Sequence, residues 1–268
     1  MINVKNLLID NIAFSFNIEE NDSIAFYGKR EIVTSILLSL AGIIKNMNTI
    51  TFKDHDVYDY QNYFNERIYI DCSKLYFQTI IAKEICFQTK TKYNKIIDEV
   101  KLSKHISKLH IRGECEVTDK YTLTDIGNNL INLSFALSSK NHVLINNPFI
   151  NIDKIEDFEY FKKEILSFEH CLIVGTQKVK PISKIINRII LIGDQSYIDV
   201  NEKSDKFYII DQVEDITPFM SLKDKYLLVN PDKEIIKKCN TKKVKMKKIE
   251  FGELDFYIGE LLWKKTSY

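Results

Sequence analysis

The sequence is poor in glycine and proline, with 8 Gly and 4 Pro in 268 residues. That is low against average usage, so a fold that works through glycine-rich loops has few residues to build them. Cysteine pairs are missing as well. Cys72, Cys86, Cys115, Cys171 and Cys239 lie far apart, form no CxxC and are odd in number. A disulfide framework is therefore not expected, and the thiols read as reduced and mostly buried. No apolar stretch approaches the length that crosses a bilayer. The start, Met1-Ile2-Asn3-Val4-Lys5, lacks the basic segment and apolar run of a signal peptide. Membrane association is thus expected only through a partner. Charge of one sign is absent too: a net charge of +1 gives no strong pull toward nucleic acid or acidic partners. Five histidines are scattered, and His105 and His110 are five apart, a poor spacing for a metal on one helix face.

What is present is a 45% hydrophobic chain, long enough for one sizeable core or a main domain with a smaller one attached. Strand-like and helix-like segments alternate. Residues 12–16 and 22–26 have the period-two pattern of strands, and 33–44 reads as a helix with a dense apolar face. Short strands are expected at 49–52 and 67–71, and helices at 80–88, 93–100, 125–138 and 156–168. His142-Val143-Leu144-Ile145, Cys171 to Val174 and Ile189 to Ile192 are continuous apolar runs of the kind buried on both faces of a parallel sheet. Buried strands separated by helices argue for an α/β fold. After Asp194 charges become dense. A small α/β extension is expected from about residue 196, with strands at 207–210, 226–229 and 244–249 and an amphipathic helix near the end.

The order of these segments, across roughly residues 2–194, resembles the ATP-binding domain of ABC transporters. A β-rich start leads to a strand, a turn and a helix ending Leu40-Ala41-Gly42. The block Ile68-Tyr69-Ile70 and a helical stretch follow, then Val143-Leu144-Ile145-Asn146-Asn147-Pro148, then Leu172-Ile173-Val174-Gly175-Thr176-Gln177. The resemblance implies a P-loop-NTPase-like parallel sheet with an N-terminal antiparallel β subdomain in residues 1–195, a helical subdomain at about 75–138 and the extension at 196–268.

The framework matches and the chemistry departs. A phosphate loop needs glycines whose amides wrap phosphate, a Lys at the helix start and a Ser/Thr for Mg²⁺. Here the segment is Gly28-Lys29-Arg30-Glu31-Ile32-Val33-Thr34-Ser35. Aligned forward from Gly28, the Lys position falls on Thr34; aligned backward from Ala41-Gly42, it falls on Val33 with the loop one residue short. Asn146 and Asn147 stand where the family carries Asp-Glu before proline. An amide neither takes a proton at neutral pH nor offsets the charge of Mg²⁺. The family's signature loop matches Leu123 to Asn129, where Thr124 stands for its Ser, Asp125 and Ile126 replace both glycines, and Gly127 follows them. The Q-loop glutamine falls at Cys72, the switch histidine at Gln177, and the D-loop aspartate is kept as Asp153.

The resemblance implies a transmembrane permease and a second ATP-binding subunit as partners, and a place at the inner face of the cell membrane. Tyr76 and Phe77 match the region that receives the permease; core packing is the rival reading. The lysine run 237–248 fits either anionic headgroups or a solvated face. Phosphoryl transfer is mainly positioning and charge neutralisation, so losing all these groups together leads us to expect a pseudo-ATPase subunit with no resident cofactor and weak ATP or Mg²⁺ binding at most. Two alternatives stand beside it. One is a working ATPase with unusual ligands such as Lys29, Thr34 and Gln177. The other is a soluble regulator that kept the fold.

Overall fold

The computed structural model describes residues 1–46, 49–60, 62–63, 67–72, 142–148, 171–178 and 186–263. The expected helical subdomain, with Tyr76, Phe77, Thr124 and Gly127, lies outside these residues, as do Asp153 and the helix expected at 156–168.

The N-terminal segment forms an antiparallel sheet of β1 (Ile2–Ile9), β2 (Ile12–Ile18), β4 (Ile50–Phe52) and β5 (His55–Asp56) in the order β2-β1-β4-β5. Its β1–β2 hairpin turns through Asp10 and Asn11, both at positive φ, a conformation that suits Asp and Asn in a tight hairpin turn. Strand β1 carries no clear signal in the sequence; its alternation breaks between Val4 and Leu7, where the register shifts.

The central sheet has the order β10-β9-β3-β8-β7-β6. Strands β3 (Ser23–Tyr27), β6 (Arg67–Asp71), β7 (His142–Asn146), β8 (Leu172–Thr176) and β9 (Arg188–Ile192) run parallel. Strand β10 (Tyr197–Asp199) joins antiparallel to β9, so this sheet runs on past residue 195. Alternate residues of the strands serve two different cores. Ile24, Phe26, Leu144, Ile173, Ile190 and Ile192 face helix α1 (Arg30–Leu40) and the N-terminal sheet. Ala25, Tyr27, Val143, Ile145, Val174 and Leu191 face the C-terminal unit.

Helix α1 differs from the expected 33–44. It starts three residues sooner because only Gly28 and Lys29 separate it from β3. It stops at Leu40 because Gly42 takes φ 66° and its amide donates back to Ser39, a glycine stop that satisfies carbonyls of the last turn. Buried Tyr63 donates its hydroxyl to the Leu40 carbonyl at 2.5 Å, covering another of them. Tyr63→Phe is therefore expected to cost about 1 kcal/mol, read as a shift of the urea midpoint at unchanged slope.

The C-terminal unit is a sheet in the order β12-β13-β11-β14, from β11 (Phe207–Asp211), β12 (Met220–Ser221), β13 (Lys225–Val229) and β14 (Lys247–Ile249). Helix α2 (Lys233–Thr241) is capped by Asp232, whose side chain accepts from the Ile235 amide. Helix α3 (Leu254–Trp263) sends Leu254 and Ile258 into the core shared with the central sheet. The basic run is partly neutralised at the surface, Lys238 by Glu234 and Lys242 by Asp215. Among the described residues, no helix is long and apolar enough to cross a membrane.

Candidate functional site

Those sequence-derived residues that are described lie at the carboxyl ends of β3, β6, β7 and β8 and at the start of α1. In open α/β sheets this edge is where ligands bind. Parallel register sets Asp71, Asn146 and Gly175 side by side on β6, β7 and β8. A Cβ at Gly175 would lie 2.6 Å from Val33 and Leu37 of α1 and 3.1 Å from the Asn146 Oδ1. Glycine is required there because α1 lies directly on the strand.

Asn146 is fully buried. Its Nδ2 donates to the Thr34 Oγ1 at 3.0 Å, so the two residues matched to the magnesium ligands touch each other directly. That match is the one of the backward alignment, which puts Thr34 at the metal-binding hydroxyl; the forward alignment puts it at the lysine position. Val33, at the lysine position of the backward alignment, is fully buried against β8. Ser35 turns its hydroxyl to the Glu31 carbonyl within the helix. Glu31 is exposed in the first turn of α1, where its charge complements the helix dipole.

Asn147 follows with φ 53°, a left-handed conformation that asparagine accepts more readily than most side chains. Its amide donates to the Gly175 carbonyl at 2.8 Å, and the Cys72 amide donates to the Asn146 carbonyl at 2.9 Å. Cys72 is buried, and burial pushes its thiol well above the usual range. Three side-chain atoms here are buried without a hydrogen-bond partner: Asn146 Oδ1, Asn147 Nδ2 and Gln177 Nε2. Each orphan costs roughly 1–3 kcal/mol if left unpaired, so this amide cluster is the most polar-frustrated part of the described core.

Lys29 and Gly28 are used differently from the expectation. Gly28 is not part of a wrapping loop. A Cβ there would lie 2.8 Å from the Ile192 carbonyl oxygen, so the glycine serves close approach of the turn to β9. Lys29 Nζ pairs with Asp194 Oδ1 at 2.5 Å instead of standing free to meet an anion. Sequence reasoning missed both Asp194 and Asp71. Asp71 is a 4% exposed carboxylate beside Asn146, and its one signal in the sequence is an acid ending an otherwise apolar strand.

Two of the described histidines pack on aromatic rings. His55 stacks on Tyr60, and His142 meets the edge of Phe52. Among the described residues, no group of three His, Cys, Asp or Glu side chains is placed to hold a metal. Cys171 is pushed up to about 12 by burial and by the nearby Asp22 charge, which leaves it an unreactive thiol at neutral pH.

No protein-family model matches the chain, and no curated protein matches it. Solved structures do. One is CbiO1 from Clostridium perfringens, described as part of the ABC transporter complex CbiONQ. It shares 11% identity at a TM-score of 0.56, over 74% of this chain and 86% of that one. A second belongs to an inward-facing putative metal-chelate type ABC transporter. It shares 13% identity at a TM-score of 0.55, over 88% of this chain and 98% of that one. The chain has the ABC-type ATP-binding fold. The likeness is one of architecture, and the α/β class with its parallel core, antiparallel N-terminal sheet and C-terminal α/β unit agrees with it. Within that ABC-type frame, Thr34 and Asn146 occupy the helix and strand that face one another, and the turn before α1 is two residues long.

Proposed function

We propose that this chain is a pseudo-ATPase subunit of an ABC transporter, working beside a permease and a second, active ATP-binding subunit at the inner face of the membrane. The observation that carries the reading is the turn between β3 and α1. Two residues, Gly28 and Lys29, join strand to helix, and a turn so short has too few amides to wrap a diphosphate.

The neighbouring groups support the same reading. Thr34 and Asn146 are hydrogen-bonded at 3.0 Å, which leaves no gap for an ion between them. Asn146, Asn147 and Gln177 are neutral, so they neither offset Mg²⁺ nor accept a proton from water. A magnesium-bound nucleotide does not fit these residues. The neighbouring transporter structures motivate the permease as a partner, and the second subunit comes from the sequence resemblance to a family whose sites are composite. Tyr76 and Phe77 are the residues we assign to permease contact, and Thr124, Gly127 and Asp153 to the partner subunit's interface.

Calorimetry of the purified chain with ATP and Mg²⁺, alone and with its partner subunit, tests the reading. No heat is expected from this chain in either state. Micromolar binding by the isolated chain would overturn it. A second reading, an ATPase with displaced ligands, is favoured by one observation, the buried Asp71 in register with Asn146. That reading requires ATP hydrolysis by the chain that disappears in Asp71→Asn.

A further inference from the structure

Three chain segments converge on Asp194. The first is the β3–α1 turn. The second is the end of β9, and the third is the backbone leading into β12 of the C-terminal unit. The approaches are close enough to demand glycine twice. A Cβ at Gly28 would lie 2.8 Å from the Ile192 carbonyl oxygen, and one at Gly193 would lie 2.2 Å from the Phe219 carbonyl oxygen. In a chain with 8 glycines, two are placed at this crossing.

Asp194 binds both neighbours at once. Its Oδ1 meets Lys29 Nζ at 2.5 Å. Its Oδ2 accepts from the Ser221 amide at 2.6 Å, and its own amide donates to the Phe219 carbonyl at 2.8 Å. A second tie lies close by in the chain. Tyr27, the last residue of β3, donates its hydroxyl to Asp255 of α3 at 3.0 Å and meets the Phe251 ring edge-on. The pair Lys29–Asp194 is only partly exposed, at 38% and 21%, so solvent screens it less than a surface pair.

We propose that the C-terminal unit acts as a latch on the β3–α1 turn: Asp194, held in place by Ser221, occupies the Lys29 ammonium and so keeps it from any outside anion at the start of α1. The carboxylate is an internal stand-in for such a ligand. Asp194 lies between β9 and β10 of the central sheet, and Ser221 and Phe219 of the C-terminal unit hold it from the far side, so a shift of that unit loosens the hold on Lys29. The latch is a property of the chain by itself and holds whether or not a permease is its partner.

The carboxyl group is suited to the task. Burial works to raise its pKa, but hydrogen bonds from Lys29 and the Ser221 amide, with the Lys29 charge, bring it below the ordinary carboxylate range. It is ionised, and the latch closed, at neutral pH.

The test uses inorganic phosphate as the anion, with the full chain, because a single phosphate can meet one ammonium without a loop to wrap it. Asp194→Asn keeps an oxygen for the Ser221 amide and removes the charge that holds Lys29. Calorimetry is expected to show phosphate affinity at least tenfold above wild type in Asp194→Asn, and a return to the wild-type level in the double variant Asp194→Asn/Lys29→Met. Equal affinity in wild type and Asp194→Asn overturns the latch, and so does binding that persists without Lys29. Hydrogen exchange supplies a second measurement that does not need the Asp194 variant to fold. Lys29→Met is expected to speed exchange of the Ser221 amide at least tenfold, because the carboxylate loses the cation that positions it. Unchanged Ser221 exchange overturns the proposal as well.

Discussion

Gly193→Ala is expected to lower the melting temperature by roughly 6–12 °C, an effect of about 3 kcal/mol. The new methyl would sit 2.2 Å from the Phe219 carbonyl oxygen and 3.0 Å from its ring. A backbone oxygen cannot swing aside as a side chain can. It accepts from the Asp194 amide, and the Phe219 amide donates to Leu227 in the next strand. Relief of the clash must therefore pull β12 and β13 away from β9 or break those bonds. Overpacking of this kind costs typically 1–3 kcal/mol, occasionally more, and the fixed backbone puts this site at the upper end. Gly252→Ala is the matched control. Nothing lies within 4 Å of its Cβ position, and a change within about 0.5 kcal/mol is expected. Calorimetric scans of both variants check the pair. Equal melting temperatures would show that the C-terminal unit is not packed tightly against the end of β9.

Asn146→Asp carries the second large effect. The side chain is fully buried, bonded to Thr34, and in register with the buried carboxyl of Asp71. A carboxylate there loses hydration beside a second buried carboxyl, so its folded pKa must rise above the unfolded value near 3.9. The sign follows from linkage. A carboxyl with a raised folded pKa destabilises the fold at neutral pH, and the penalty vanishes as pH falls below the unfolded pKa. The expected loss at pH 7 is about 3 kcal/mol, shrinking toward zero near pH 3.5 relative to wild type. Urea melts across that range check it. The same melts repeated with millimolar Mg²⁺ address function. Full rescue by Mg²⁺ would mean that Asp71, Thr34 and the new carboxylate together hold a divalent cation. The site would then be one substitution from a metal centre, contrary to the direct packing of Thr34 on Asn146.

Much of the site is legible in the sequence. The order of apolar runs places Asn146, Asn147 and Gln177 at strand ends, and the backward alignment puts Thr34 opposite Asn146, where a hydrogen bond joins them. Asn147 shows the limit of such reading. Its amide reads as a lost acid, but its φ of 53° is an independent backbone reason for asparagine. Gly28 misleads for a related cause. Glycine before a helix suggests a phosphate turn, and nothing local reveals that the Ile192 backbone lies against it. The start of α1 is hard to place because its apolar face begins at Ile32 and Val33, and the polar first turn carries no periodic signal.

Where a local pattern is strong the element type needs no tertiary information, whereas strand β1, whose alternation breaks between Val4 and Leu7, carries no such signal. Continuous apolar runs become parallel strands buried on both faces, whereas α1, expected to reach residue 44, ends at Leu40 because Gly42 stops it. What each face of those strands meets is settled only by the packed fold. Ile24 and Ala25 are equally apolar, yet one packs on α1 and the other on the C-terminal unit. The fold also selects the partner of Lys29, an aspartate 165 residues away. Charge complementarity has no preferred spacing along a chain, so a sequence with 38 basic and 37 acidic residues leaves that pairing open until the fold brings two of them together.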